Sequence, residues 1–144
     1  MREGKKFTIL WLTGMSGSGK STLASYAKQI CDESGLQTRI IDGDDVRDKH
    51  KKKLGFGYDD VLKNNLLIAK LCLDLRNKDV EVVIVPVISP YEKVRKKVKD
   101  LLNPFFHLIY VKADIESLKE RDTKGLYLGD IYSSNATQPW LLTQ

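Results

Sequence analysis

Phe7-Thr8-Ile9-Leu10-Trp11-Leu12 is a continuous apolar run, and Thr13-Gly14-Met15-Ser16-Gly17-Ser18-Gly19-Lys20-Ser21-Thr22 follows it at once. The run is too short for a buried helix and rich in β-formers, so it reads as a buried strand. Beyond the glycines, Ser21 to Ser34 carries Leu23, Ala24, Ala27 and Ile30 at helical spacing, with Gly35 as the expected C-terminal cap. The stretch between strand and helix matches GxxxxGK(S/T) in the setting that gives this short pattern its meaning. Glycines let the backbone curl so that successive N–H groups point inward, and with the helix N-terminus they form a nest for phosphate oxygens. Lys20 adds a point charge at the β- and γ-phosphates, and the Ser21 hydroxyl is suited to coordinate Mg²⁺. A nucleoside triphosphate site is therefore expected at Gly14, Ser16, Gly17, Ser18, Gly19, Lys20, Ser21 and Thr22, with Ser21 as the Mg²⁺ ligand.

Outward from this loop, apolar runs alternate with helical patterns. Thr38 to Asp42 reads as a second strand and Asp59 to Asn77 as a leucine-rich helix with wide apolar coverage. Glu81 to Ile88 is β-branched nearly throughout, which suits a strand buried on both faces, although Pro86 argues for an end near it. Tyr91 to Leu102 reads as a charged helix, Phe106 to Val111 as a strand and Ile115 to Arg121 as a short helix. This β-α-β-α order implies an α/β protein, a three-layer P-loop NTPase fold in which helices flank a parallel sheet. Residues 1–144 read as one domain, with about 122–144 a shortened lid or tail because its Gly, Ser, Asn, Thr and Pro content breaks the pattern.

Composition narrows the function classes. The chain has 144 residues, enough for one domain that buries roughly two-thirds of its unfolded surface. With 24 Lys+Arg against 19 Asp+Glu, the +5 net charge favours small anionic ligands without the density of a nucleic-acid binder. His50-Lys51-Lys52-Lys53 and Arg95-Lys96-Lys97 have no interleaved aromatics, so they read as solvated helix faces and no nucleic-acid partner is expected. No apolar run approaches the roughly 18 residues of a membrane span and the start lacks the apolar core of a secretory signal, so a cytoplasmic protein without a membrane partner is expected. Cys31 and Cys72 read as small reduced core residues, and the isolated His50 and His107 offer no zinc-ligand spacing. Trp11 reads as core, whereas Trp140 is left between closing over a ligand and packing on the domain edge. An NKxD-like guanine-reading signature is missing and the chain is short for a motor, so a small nucleotide or metabolite kinase fits best.

Asp42-Gly43-Asp44-Asp45-Val46-Arg47 follows the second strand, which in a parallel sheet puts it at the same carboxyl edge as the glycine loop. Carboxylates there can hold metal-bound water or take a proton from an attacking hydroxyl, or, in the plainer reading, cap a helix. Arg47 is suited to clamp an acceptor phosphate or sulfate. With these residues the sequence resembles the adenylylsulfate kinase family, which transfers the γ-phosphate of ATP to the 3′-hydroxyl of adenylyl sulfate. The resemblance rests on GMSGSGKST at 14–22, IDGDDVR at 41–47, LGFGYDD at 54–60 with Asn64, ISPY at 88–91 and RDTKGLY at 121–127. It implies catalytic roles for Lys20, Asp42, Asp44 and Ser89, and an acceptor site of Asp44, Arg47, Phe56, Asn64, Ile88 and Ser89, with Phe56 stacking on a base. For Ser89 the preferred role is a hydrogen bond to acceptor or phosphate, because in-line transfer needs no covalent step. Small-molecule nucleotides are the expected partners, ATP with Mg²⁺ the phosphoryl donor, and a homodimer is raised by the resemblance alone.

The departures fall on the acceptor side. Where the family usually reads Asp-Arg-x-Glu-Asn-Ile-Arg-Arg, this chain has Asp60-Val61-Leu62-Lys63-Asn64-Asn65-Leu66-Leu67, so Val61, Leu66 and Leu67 stand at arginine positions. After Lys124-Gly125-Leu126-Tyr127 the family's basic stretch is missing. The expected activity is transfer to the ribose 3′-hydroxyl of adenylyl sulfate or, given the lost arginines, of a related nucleotide such as cytidine diphosphoramidate. The alternative is a nucleotide-binding module that no longer transfers phosphate.

Overall fold

In a computed structural model, which describes residues 6–15 and 18–112, eight elements follow one another along the chain. They are β1 (Thr8–Thr13), α1 (Lys20–Glu33), β2 (Thr38–Ile40), α2 (Gly43–Asp48), α3 (Tyr58–Arg76), β3 (Val82–Val87), α4 (Glu92–Leu102) and β4 (Phe106–Tyr110). The strands form one parallel sheet in the order β2-β3-β1-β4. The expected helix at 115–121, the expected lid or tail at 122–144, Trp140, Ser16 and Gly17 all lie outside the described residues.

Period-two alternation along the central strands sorts the core into two layers. Ile9 and Trp11 of β1 and Val83, Val85 and Val87 of β3 face α3 and α4, where they meet Val61, Ile68, Cys72, Val94 and Val98. Leu12, Val82 and Ile84 face the other way, onto Leu23, Ala24 and Ala27 of α1. β3 is buried throughout because it lies between β2 and β1 with helices on both faces. The outcome is the three-layer arrangement that the alternation of strands and helices implies. Cys72 is fully buried in the α3 layer, and desolvation pushes its thiol up to about 12, so it acts as an inert apolar filler.

As expected, β3 ends near Pro86, at Val87, and Pro86 itself still pairs in register with Leu12. Ile84 accepts a hydrogen bond from the Ile41 N–H, so Ile84 faces β2, and Pro86, two residues on, faces the same way past the last residue of β2. Its missing N–H therefore costs no ladder bond. The second strand stops at Ile40, because Asp42 already caps α2. The first basic run is exposed but not on a helix, since Lys51, Lys52 and Lys53 lie on the loop between α2 and α3; in the second, Lys96 and Lys97 are exposed on α4 as expected, whereas Arg95 is only 5% exposed.

Candidate active site

All four strands run parallel, so the segments leaving Thr13, Ile40 and Val87 emerge at one edge. The first of these is the glycine loop. Gly19 adopts φ 97°, a left-handed conformation open to glycine, and turns the chain into α1 with no side chain capping the helix. The first amides of α1 are thus left to an outside acceptor. Ser18 is buried, while Ser21 and Thr22 are exposed on the opening turn of α1. Lys20 turns back over the loop, donating from Nζ to the Met15 carbonyl at 3.0 Å. Desolvation lowers its pKa, and the carboxylates of Asp44 and Asp42 oppose that shift. The loop's lysine and the Asp-rich segment after β2 therefore lie within each other's field.

Asp42 is the N-cap of α2: one of its oxygens accepts from the Asp44 N–H at 2.8 Å and the Asp45 N–H at 3.3 Å. The plainer reading, a helix cap, holds for Asp42, and that cap fixes the turn that presents Asp44. Asp44 pairs with Arg47 at 2.9 Å one turn on, and the Arg47 guanidinium lies 4.2 Å from the centre of the Phe56 ring. Phe56 is 54% exposed, and its loop is pinned from two sides. The Gly55 N–H donates to Asp60 at 2.8 Å, and Tyr91, edge-on to Tyr58, donates its hydroxyl to the Phe56 carbonyl at 3.2 Å.

Asp44, Arg47, Phe56, Asn64 and Ile88 line a single pocket, which Gly43, Gly55, Asp60, Val61, Asn65 and Val87 complete. Five of the six expected acceptor residues are thus brought together. Asn64 is buried with both amide ends used: Nδ2 donates to the Gly43 carbonyl at 3.1 Å, and Oδ1 faces His50 Nε2 at 3.1 Å. Since Nδ2 donates, Oδ1 accepts and His50 donates through Nε2. Ser89, the sixth, is not on the pocket wall. It is 1% exposed, and its Oγ has no hydrogen-bond partner. Its backbone is held by Thr13 Oγ1, which accepts from the Ser89 N–H, and by Arg95, which donates to the Ser89 carbonyl at 2.8 Å.

Of the three apolar replacements for arginine, only Val61 lines the pocket; Leu66 is half-buried and Leu67 exposed, both off its wall. The sequence reading gave no site role to Asn65, Asp60, Tyr91, Arg95 or His50. Asn65 had a signal, a polar residue on the apolar stripe of Val61, Ile68 and Cys72. Arg95, set inside a basic run, had none. Among the described residues no group of three or more His, Cys, Asp or Glu side chains is gathered to hold a metal.

Chemically, this edge can hold phosphate oxygens on the α1 amides and Lys20, and a second anionic, aromatic ligand on Arg47 and Phe56, with Asp44 between them. The family model for adenylylsulphate kinase matches residues 6–131, nearly the whole chain. This chain belongs to the adenylylsulphate kinase family. An adenylyl-sulfate kinase of Bacillus pumilus is 41% identical over 127 residues, covering 88% of this chain and 64% of that protein. Another from Geotalea uraniireducens is 42% identical over 130 residues, covering 88% of this chain and 61% of that one. The chain therefore spans less than two thirds of the length of these adenylylsulphate kinase relatives. The Mycobacterium tuberculosis APS kinase solved in complex with AMPPNP and APS superposes with a TM-score of 0.67 at 30% identity, covering 85% of this chain and 72% of that one.

Proposed function

We propose that this family member transfers the γ-phosphate of ATP to the ribose 3′-hydroxyl of a small nucleotide. One observation carries the reading: Asp44 both lines the pocket and lies within the field of Lys20, so a hydroxyl bound in that pocket would meet the triphosphate at a carboxylate. Lys20 and the α1 amides hold the β- and γ-phosphates. Asp44 takes the proton of the attacking hydroxyl, and Asp42 keeps Asp44 in place through its cap. The exposed Ser21 hydroxyl and the carboxylates of Asp42 and Asp44, which act on neighbouring Lys20, are hard oxygen donors, which fit Mg²⁺. Bound with ATP, that ion would neutralise charge developing on the phosphates during transfer.

On the acceptor side, Arg47 is the one cationic side chain among the described residues lining the pocket, and Val61 stands where the family carries a second. A charge-assisted hydrogen bond contributes about 1.5–3 kcal/mol, which a valine cannot supply. Phe56 still offers a stacking face to any base. The acceptor we favour is thus a cytidine diphosphate derivative such as cytidine diphosphoramidate, ahead of adenylyl sulfate. Coupled ADP-release assays on both acceptors at equal ATP and Mg²⁺ test this, with kcat/KM expected to be higher for the cytidine compound. A preference for adenylyl sulfate of tenfold or more, about 1.4 kcal/mol, would return the chain to the reaction in its relatives' names. Turnover of neither, with ATP still bound, would leave a nucleotide-binding module.

A further inference from the structure

Asn65 lies on α3 one turn beyond Val61, borders the acceptor pocket and is 1% exposed. Neither its Nδ2 nor its Oδ1 has a hydrogen-bond partner. The other charged and amide side chains among the described pocket residues are all engaged. Asn64 bonds the Gly43 carbonyl and His50, Asp60 accepts from the Gly55 N–H, and Asp44 pairs with Arg47. A carboxamide buried with both ends unpaired is destabilising, whereas an apolar side chain of its size would continue the stripe of Val61, Ile68 and Cys72 without that cost. The one polar break in the apolar part of that stripe left unpaired falls where α3 meets the pocket.

We propose that Asn65 is a specificity-determining residue of the acceptor pocket, its Nδ2 donating to and its Oδ1 accepting from a neighbouring acceptor–donor pair on the bound nucleotide. This rests on the reading of the pocket as an acceptor-nucleotide site. The chemistry recognised is an amino group beside a lone pair. Two parts of a nucleotide offer it: the edge of an adenine or cytosine base, and a terminal phosphoramidate, whose oxygen accepts while its nitrogen donates. A sulfate has acceptors alone. It satisfies Nδ2 but turns an oxygen toward Oδ1, so where Asn65 faces the terminal group the same amide selects against it.

The test compares wild type with Asn65→Leu, which keeps the size and removes both polar atoms, and with Asn65→Ala. Binding of CDP, cytidine diphosphoramidate, ADP and adenylyl sulfate is measured calorimetrically with a non-hydrolysable ATP analogue present, alongside kcat/KM for each acceptor, KM for ATP and melting temperature. Both variants are expected to lose tenfold or more in affinity and kcat/KM for the best acceptor while KM for ATP stays within twofold. Asn65→Leu is expected to melt no lower than wild type. A loss shared by CDP and its amidate assigns the base edge, and a loss confined to the amidate assigns the phosphoramidate. Acceptor affinity within threefold of wild type in both variants would overturn the proposal and leave Asn65 a buried structural group. Wild type that binds none of the four nucleotides would overturn the acceptor-site reading itself, and this proposal with it.

Discussion

Lys20 carries opposite demands from stability and function. Its ammonium sits where desolvation disfavours charge, and Asp44 and Asp42 offset only part of that cost, so its pKa is lowered in the fold. A lysine with a lowered folded-state pKa destabilises the protein below that pKa, where it is charged in both states; the cost fades as pH rises toward the ordinary lysine value. Lys20→Met is therefore expected to melt at or above the wild-type temperature at neutral pH, with the difference shrinking in alkaline buffer. Phosphoryl transfer should fall below about a tenth of wild type, because no other group replaces the charge at the phosphates. Melting curves across pH, together with turnover, check both parts. Retained turnover would remove Lys20 from the site.

At the scale of elements, α2 is a six-residue helix whose position depends on what it lacks. A Cβ on Gly43 would come within 2.7 Å of Val87 Cγ2 and 3.1 Å of Val87 Cα, so only glycine lets α2 lie against the end of β3. The same close approach brings the Gly43 carbonyl to Asn64, tying α2 to α3 across the pocket. Gly43→Ala is expected to destabilise the fold by about 1–3 kcal/mol, the range for overpacking in a well-packed region. By shifting Asn64 and Asp44 together it should also raise KM for the acceptor more than KM for ATP. Urea midpoints and initial rates measure the two effects. An unchanged midpoint would mean that α2 moves freely against β3.

For the whole molecule, the parallel sheet matters because it delivers three separate segments to one edge. The loop after β1, the capped turn after β2 and the Ile88-Ser89 turn after β3 are far apart in sequence and neighbours in space. A ligand that binds only the native state stabilises it by about 2.7 kcal/mol at one hundred times its Kd. For a domain of this size that corresponds to a rise in melting temperature of roughly 5–10 °C. We expect a shift of this size from a non-hydrolysable ATP analogue with Mg²⁺, and a larger one when an acceptor nucleotide is added. Shifts that fail to add would argue against two adjoining sites.

Much of this was legible in the chain itself, because the signals are local. A strand, a glycine loop and a helix adjoin in sequence, so Gly14 to Thr22 shows the phosphate-loop pattern without any tertiary contact. The alternation of β-branched runs with helical spacing determined a parallel three-layer fold, and four motifs beside the loop determined the family. What tertiary structure decided is whatever depends on which side of an element faces which neighbour. Pro86 stays in its strand because β2 has already ended beside it. Arg95 is buried because its guanidinium has the Ser89 carbonyl to bond, which no reading of a basic run discloses. Val61, Leu66 and Leu67 look alike as lost arginines, yet helical rotation turns Val61 into the pocket and leaves the other two off its wall. The same rotation brings Asn65 to the pocket, since residues four apart share a helix face and only the packing of α3 determines what that face meets.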